Sequence, residues 1–243
     1  EQGFAGFAVN RRRVGHREYP GPVDHDVPVL TVLSGGQLKA ILFGYACHAT
    51  VLSDNQVNGD WPGYAQAEIE QRFPGTTALF LNGASADQNP LPRRKVELAR
   101  RYGAVLAEAV EQVVAGKMKP VNGPLRTAFD TVELPLRPWG RERYETFAAS
   151  ASAMERTYGQ SMLNLLKSGQ PLKTAYDYPV QAWRFGDSLL LVALAGELVS
   201  DYALRFKKEF GWDATWVSGY NNDVFAFIPS RRVLLAGGCG GGG

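Results

Sequence analysis

The 243-residue sequence predicts an α/β or α+β fold, a mixed sheet with helices packed on it in a single domain. Short runs of aliphatic and β-branched residues alternate along the chain with segments whose apolar residues repeat every 3.6 positions. That interleaving is the pattern of strands and helices sharing one core. No Pro/Gly/Ser-rich linker interrupts the interior, so residues 1–236 read as one domain.

Residues 1–26, rich in Gly, Arg and Pro, read as an irregular lead-in. Two apolar runs, 27–33 and 38–46, flank Gly35-Gly36 and predict a hairpin. Trp61-Pro62 opens a helix through Tyr64, Ala65, Ile69 and Phe73, which Pro74 closes. Residues 76–81 suit a buried strand. The stripe Leu98, Tyr102, Val105, Leu106, Ala109, Val110, Val113 predicts a long helix over 94–114. Residues 125–136 alternate as a strand, and 141–166 read as a helix broken at Gly159. A second hairpin, 180–185 with 189–194, turns at Gly186-Asp187. A helix over 198–210 and a strand over 214–217 follow. The Gly-rich tail 237–243, interrupted only by Cys239, has no means of ordering itself.

Lys and Arg number 26 against 24 Asp and Glu, and the formal charge is +2. So even a balance provides no field to attract nucleic acid. Two cysteines exclude a disulfide framework, and Cys47 reads as a buried thiol. No apolar run approaches the ~18 residues that span a bilayer. Glu1 opens without an initiator Met, a basic n-region or an apolar h-region, so the chain reads as an internal segment.

The common nucleophile-elbow, zinc-helix and phosphate-loop motifs are absent. Polar clusters lie instead at the ends of apolar strands, where α/β folds build their sites. His48 ends the run 38–46 and reads either as a zinc ligand or as a structural imidazole hydrogen-bonded at a strand end. The segment Asn82 to Pro90 is either a site loop or a turn that caps the next helix. Glu197 follows the apolar run 189–194. It is either paired or metal-bound, or a first-turn glutamate favoured by the helix dipole. Residues 219–230 form a polar turn followed by aromatics.

In their order, these segments resemble the catalytic domain of the neutral/alkaline non-lysosomal ceramidases. Asn10-Arg11, then His48 within Ala46-Cys47-His48-Ala49-Thr50, is similar to that family's Asn-Arg pair and zinc-ligand histidine. Gly59-Asp60-Trp61-Pro62-Gly63-Tyr64 resembles the stretch that follows it. Asp87-Gln88-Asn89-Pro90 falls at the family's serine loop, Gly196-Glu197 at the glutamate that binds zinc, and Gly219 to Ser230 at the approach to a tyrosine ligand. The resemblance implies a zinc-dependent hydrolase of an N-acyl amide bond, taking ceramide to sphingosine and fatty acid. It implies His48 and Glu197 as metal ligands, and Arg11, Asp60, Asp87 and Asn89 as catalytic. Arg11 would stabilise developing charge. Asp60 would either orient a ligand from behind or cap the following helix. A lipid or amide substrate, transient contact with a membrane surface and a secreted or periplasmic setting follow from the same resemblance.

The departures are specific. The family's His-x-His segment has no counterpart among His16, His25 and His48. Asn89 stands at the nucleophilic serine, Phe227 at the tyrosine ligand and Cys239 at a later tyrosine. With two ligands in place, the chain as given is expected to be inactive. Another amide or ester substrate, or a catalytically silent lipid-binding homologue, are the competing readings. His48 and Glu197 are expected to converge at neighbouring strand ends, with Arg11 and Asn89 lining the same pocket.

Overall fold

The computed structural model describes residues 1–14 and 17–236, with the side chains of 11–19 outside the description. In chain order come β1 (Gln2–Phe4), β2 (Ala8–Val9), β3 (Arg11–Val14), β4 (Arg17–Pro20), β5 (Asp26–Ser34), β6 (Gln37–Tyr45), α1 (Asp60–Arg72), β7 (Thr77–Asn82), β8 (Asn89–Pro90), α2 (Val96–Ala115) and β9 (Leu125–Pro135). Then follow α3 (Arg141–Ala148), α4 (Ala153–Lys167), β10 (Ala175–Phe185), β11 (Leu189–Leu194), β12 (Glu197–Leu198), α5 (Ser200–Phe210), β13 (Thr215–Ser218), β14 (Phe227–Ile228) and α6 (Arg231–Ala236). Helices and mixed sheets interleave, as the α/β expectation required. The Gly-rich tail and Cys239 lie outside the described residues.

One sheet has the order β1-β5-β6-β7, antiparallel at β1/β5 and β5/β6 and parallel at β6/β7. Ile41, Phe43 and Tyr45 alternate along β6 and are buried, the period-2 signature of a strand with one face on a core. α2 presents Ala99, Tyr102, Leu106 and Val110 to that core, and α1 presents Trp61, Ala65 and Ile69. Phe7 stacks on Tyr102 at 4.6 Å between ring centres and meets Trp61 edge-on. Fully burying such aromatic and aliphatic side chains stabilises by about 1.5–3 kcal/mol each. A second sheet runs β13-β11-β10-β9, with β11/β13 parallel and β10/β11 antiparallel.

α5 is tied at its far end by a buried ion cluster. The Lys207 ammonium, 3% exposed, donates to both carboxylate oxygens of Asp24 and to Asp26, each at 2.8 Å. Two carboxylates around one buried cation satisfy the ammonium, which unpaired would be costly to bury.

The chain gathers into two compact units, Glu1–Phe129 with Val180–Gly243, and Asp130–Pro179. Each boundary falls inside a strand, β9 or β10. Asp130 and Pro179 stand at these points, but each lies within an unbroken strand and no loop or linker marks it, so the sequence reads as one domain.

In the second unit, the helix expected over 141–166 is two helices. The break lies at 149–152, where Ser152 caps α4 by accepting a hydrogen bond from Glu155 N. Gly159 sits inside α4 at its contact with α3, where an added Cβ would meet Ala148 N and, at 2.6 Å, Tyr144 O. Glycine is there for close approach between helices, not as a breaker. In isolation Gly159→Ala would favour the helix by about 1 kcal/mol. Here it is expected to lower stability by about 1–3 kcal/mol through overpacking. Urea unfolding followed by circular dichroism measures it, and a gain in stability would show that the helices have room to spare.

Candidate functional site

The parallel pair β6/β7 delivers two loops to one edge of the first sheet. Gly83 N donates to Tyr45 O at 3.1 Å and His48 N to Gln88 O at 3.0 Å, so the loops after β6 and β7 are zipped together. His48 Nε2 lies 3.2 Å from Ala86 O. A carbonyl only accepts, so the neutral ring carries its proton on Nε2 and leaves the Nδ1 lone pair. Trp61 Nε1 donates to His48 O at 3.0 Å, which ties the same loop to the start of α1.

Asp60 lies at the start of α1, where its carboxylate is engaged by backbone N–H groups. Gly59 stands at the cap of α1, and Asp60, buried with φ +49°, is the first helical residue. Its carboxylate accepts from Leu52 N at 2.8 Å and from Trp61 N at 2.7 Å. Asp60 therefore closes the loop carrying His48 against α1, and any positioning of the imidazole passes through the backbone.

Ala86 N donates to Leu198 O at 2.9 Å, bringing β12 and Glu197 to the same loop. β12 pairs in parallel with β14, Glu197 opposite Phe227. Gly196 has φ +72°, and a Cβ there would meet Ala226 O at 2.8 Å, so only glycine fits before Glu197. Phe227, half-buried, packs against the small cluster of Ala86, Val199 and Val233.

Tyr220 neighbours both His48 and Glu197. Its backbone is left-handed, φ +62°, and its N–H donates to Gly196 O at 3.0 Å. Its ring is edge-on to the His48 ring at 6.3 Å, and Ser85 Oγ donates to its hydroxyl at 3.0 Å. Burial pushes the phenol above its ordinary range. The Ser85 hydrogen bond opposes this, and the charges of Glu197 and Asp87 reinforce it. Sequence reasoning passed over Tyr220 because the resemblance directed attention to Phe227. A left-handed backbone at a bulky residue is uncommon and marks an over-determined position. The signal available in sequence was an aromatic inside the polar turn Gly219-Tyr220-Asn221-Asn222.

Asp87 is the polar hub of the loop, its side chain 1% exposed. Oδ1 accepts from Ser200 N at 2.7 Å. Oδ2 accepts from Asn10 Nδ2 at 2.7 Å, Arg232 at 3.0 Å and Ser200 Oγ at 3.3 Å. Arg232 also holds both oxygens of Asp201, at 3.0 and 2.6 Å. With its lone pairs so occupied, Asp87 fixes the loop in place. Asn89 pairs across β8/β2 with Val9 and is partly exposed beside this hub. The backbone of Arg11 lies opposite Pro20 in β3/β4, and its side chain is outside the described ones.

His48 and Glu197 thus both neighbour Tyr220, His48 through a ring contact and Glu197 through its charge, and the loop carrying Asp87 is bonded to the backbone on both flanks. An imidazole and a carboxylate are donors that zinc accepts. Among the described residues, no group of three or more His, Cys, Asp or Glu side chains could hold a metal ion. The set fits zinc in chemistry and falls short in number, since catalytic zinc takes three protein ligands.

Compared with solved structures, the chain superposes on a crystal structure of neutral ceramidase from Pseudomonas aeruginosa with a TM-score of 0.69. Identity is 16%, and the match covers 99% of this chain and 47% of that one. A ceramidase complexed with C2 matches with a TM-score of 0.64 at 18% identity, over 90% of this chain and 44% of that one. The fold is neutral-ceramidase-like. Neither a protein-family model nor a curated protein sequence matches. The chain spans about half the length of the solved structures it resembles.

Removing the hub should be costly. Asp87→Ala strands Ser200 N and takes one partner each from Asn10 and Arg232, which keep Pro22 O and Asp201, and is expected to lower stability by about 3 kcal/mol. Urea midpoints check this, and a loss under about 1 kcal/mol would mean that water replaces the carboxylate. A second expectation concerns pH. The folded chain keeps the protons of Tyr220 and Tyr45, whose phenols burial also raises, while unfolded tyrosine releases its proton near pH ~10. The folded state then binds more protons, so stability falls as pH rises through that value. Tyr220→Phe should flatten the decline in urea midpoint between about pH 9.5 and 11. An unchanged slope would show that the hydroxyl reaches solvent freely.

Proposed function

We propose that the chain is the framework of a ceramidase-like hydrolase that cleaves an N-acyl amide, with His48 and Glu197 contributing to a zinc site. The observation that carries this reading is the meeting of His48, Glu197 and the Asp87 loop around Tyr220, within a fold like that of neutral ceramidase. When bound, zinc supplies a Lewis acid and lowers the pKa of a water to about 7. His48 would offer the Nδ1 lone pair, its ring held by the Ala86 carbonyl. Glu197 would offer its carboxylate from a backbone that only glycine at 196 permits. Asp87 holds the loop between them. Asn89 is an amide and cannot attack a carbonyl, so it could serve only as a donor to a developing oxyanion. Arg11 would supply a permanently charged fork for an oxyanion or a carboxylate product. The lipid-amide substrate is part of the proposal.

A silent lipid-binding homologue is favoured by Asn89 in the serine position and by Phe227, whose ring is spent on packing. Metal titration separates the two. Cobalt(II) binding followed by its visible spectrum should be weak in this chain. His48→Ala and Glu197→Gln should each weaken it by at least about tenfold, since each removes a donor. Hydrolysis of a fluorogenic N-acyl sphingosine with added zinc should be undetectable with two donors. Chelator-sensitive turnover by the 243-residue chain would show that the ligands are elsewhere. Cobalt affinity indifferent to both substitutions would favour the silent homologue.

A further inference from the structure

Inside the second unit lies a cavity of about 520 Å³, sharing no residue with the site around Asp87. Its walls include Trp139, Tyr144, Tyr158, Met162, Leu165 and Leu172. The volume falls in the ~300–1,000 Å³ range of small-molecule sites. The ordered framework is aromatic: Trp139 N donates to the Tyr144 hydroxyl at 3.1 Å, and Tyr144 and Tyr158 meet edge-on at 6.1 Å. Apolar surface remains exposed, Leu136 at 40% and Trp139 at 36%. Two of the lining residues are charged, Arg137 and Lys173, both exposed and both positive. No carboxylate lines the cavity, and among the described residues neither cation is in an ion pair.

We propose that this cavity binds a single-chain fatty carboxylate, its alkyl chain between the Trp139, Tyr158, Met162 and Leu165 side chains and its carboxylate on Arg137 and Lys173. The charge pattern selects the class. An apolar chamber alone would take any hydrocarbon, whereas two unpaired cations and no acid favour a ligand with one anionic end. Size selects a single chain. At about 30 Å³ per small group, the share of a water in the liquid, the cavity holds roughly 17 groups, about one C12 to C16 carboxylate. Binding in this cavity is independent of the proposed hydrolysis, with which it shares no residue.

The test is calorimetric titration of the full 243-residue chain with octanoate, decanoate and dodecanoate below their micelle concentrations. Dodecanol and vesicles of mixed phosphatidylcholine and phosphatidylglycerol are the comparison arms. One site is expected, with affinity rising about fourfold per added methylene. Arg137→Gln with Lys173→Gln should weaken dodecanoate by at least about tenfold and leave dodecanol unchanged. Both substitutions are on exposed side chains, so folding is not at stake. Met162→Trp should fill the chamber and abolish binding of both. Affinity independent of chain length, or equal dodecanoate binding by the charge variant, would overturn the proposal. So would binding to the anionic vesicles with none to free dodecanoate, which would make the region a membrane-surface contact.

Discussion

The site region depends on one buried carboxylate. Asp87 is almost fully withdrawn from water, which is tolerable only because donors from three separate parts of the chain converge on it. Asn10 belongs to the lead-in, Ser200 to the start of α5 and Arg232 to α6. Their sequence separations from Asp87 are 77, 113 and 145 residues, so each bond closes a large loop of chain. The arrangement makes the loop after β7 a rigid block. His48 leans on that block twice, through Gln88 O and Ala86 O.

Most of what positions His48 and Glu197 is main chain. Tyr45 O, Ala86 O, Gln88 O, Leu198 O and Gly196 O are the acceptors that join the loops. Such a frame survives replacement of the side chains around it, which accounts for a shared fold at 16% identity. Asn89 and Phe227 illustrate this, since Asn89 pairs with Val9 and Phe227 with Glu197 through backbone alone, independent of the side chains they carry.

The parts legible in sequence were those governed by periodicity. The hairpin of β5 and β6 and the stripe of α2 follow from residues that each face one core, so local pattern and tertiary burial agree. The helix boundary at 149–152 was missed because Ser152 is a weak local cue beside a conspicuous Gly159, whose use depends on a neighbouring helix. The unit boundaries were hidden inside continuous strands. In the site region, His48 and Glu197 could be located because each follows an apolar strand, β6 and β11. Tyr220 could not be ranked without knowing that its backbone is left-handed and that its hydroxyl reaches Ser85. Asp87 could be located but not interpreted, because its partners are distant in sequence.

The two anchor points of α5 carry a further implication. Ser200 binds Asp87 at one end, and Lys207 reaches Asp24 and Asp26 at the other. Asp24 N in turn donates to Gln88 Oε1 at 2.6 Å, on the same loop as Asp87. Seven residues separate the anchors, and at 3.6 residues per turn that is within about 20° of two complete turns. The two anchoring residues therefore lie on one stripe of the helix. Point changes on its outer face, such as at Arg205 or Lys208, leave this spacing intact. An inserted or deleted residue between the anchors would swing one of them about 100° off that stripe. The helix thus acts as a ruler of fixed length, and this stretch of chain should vary in composition while its residue count stays constant.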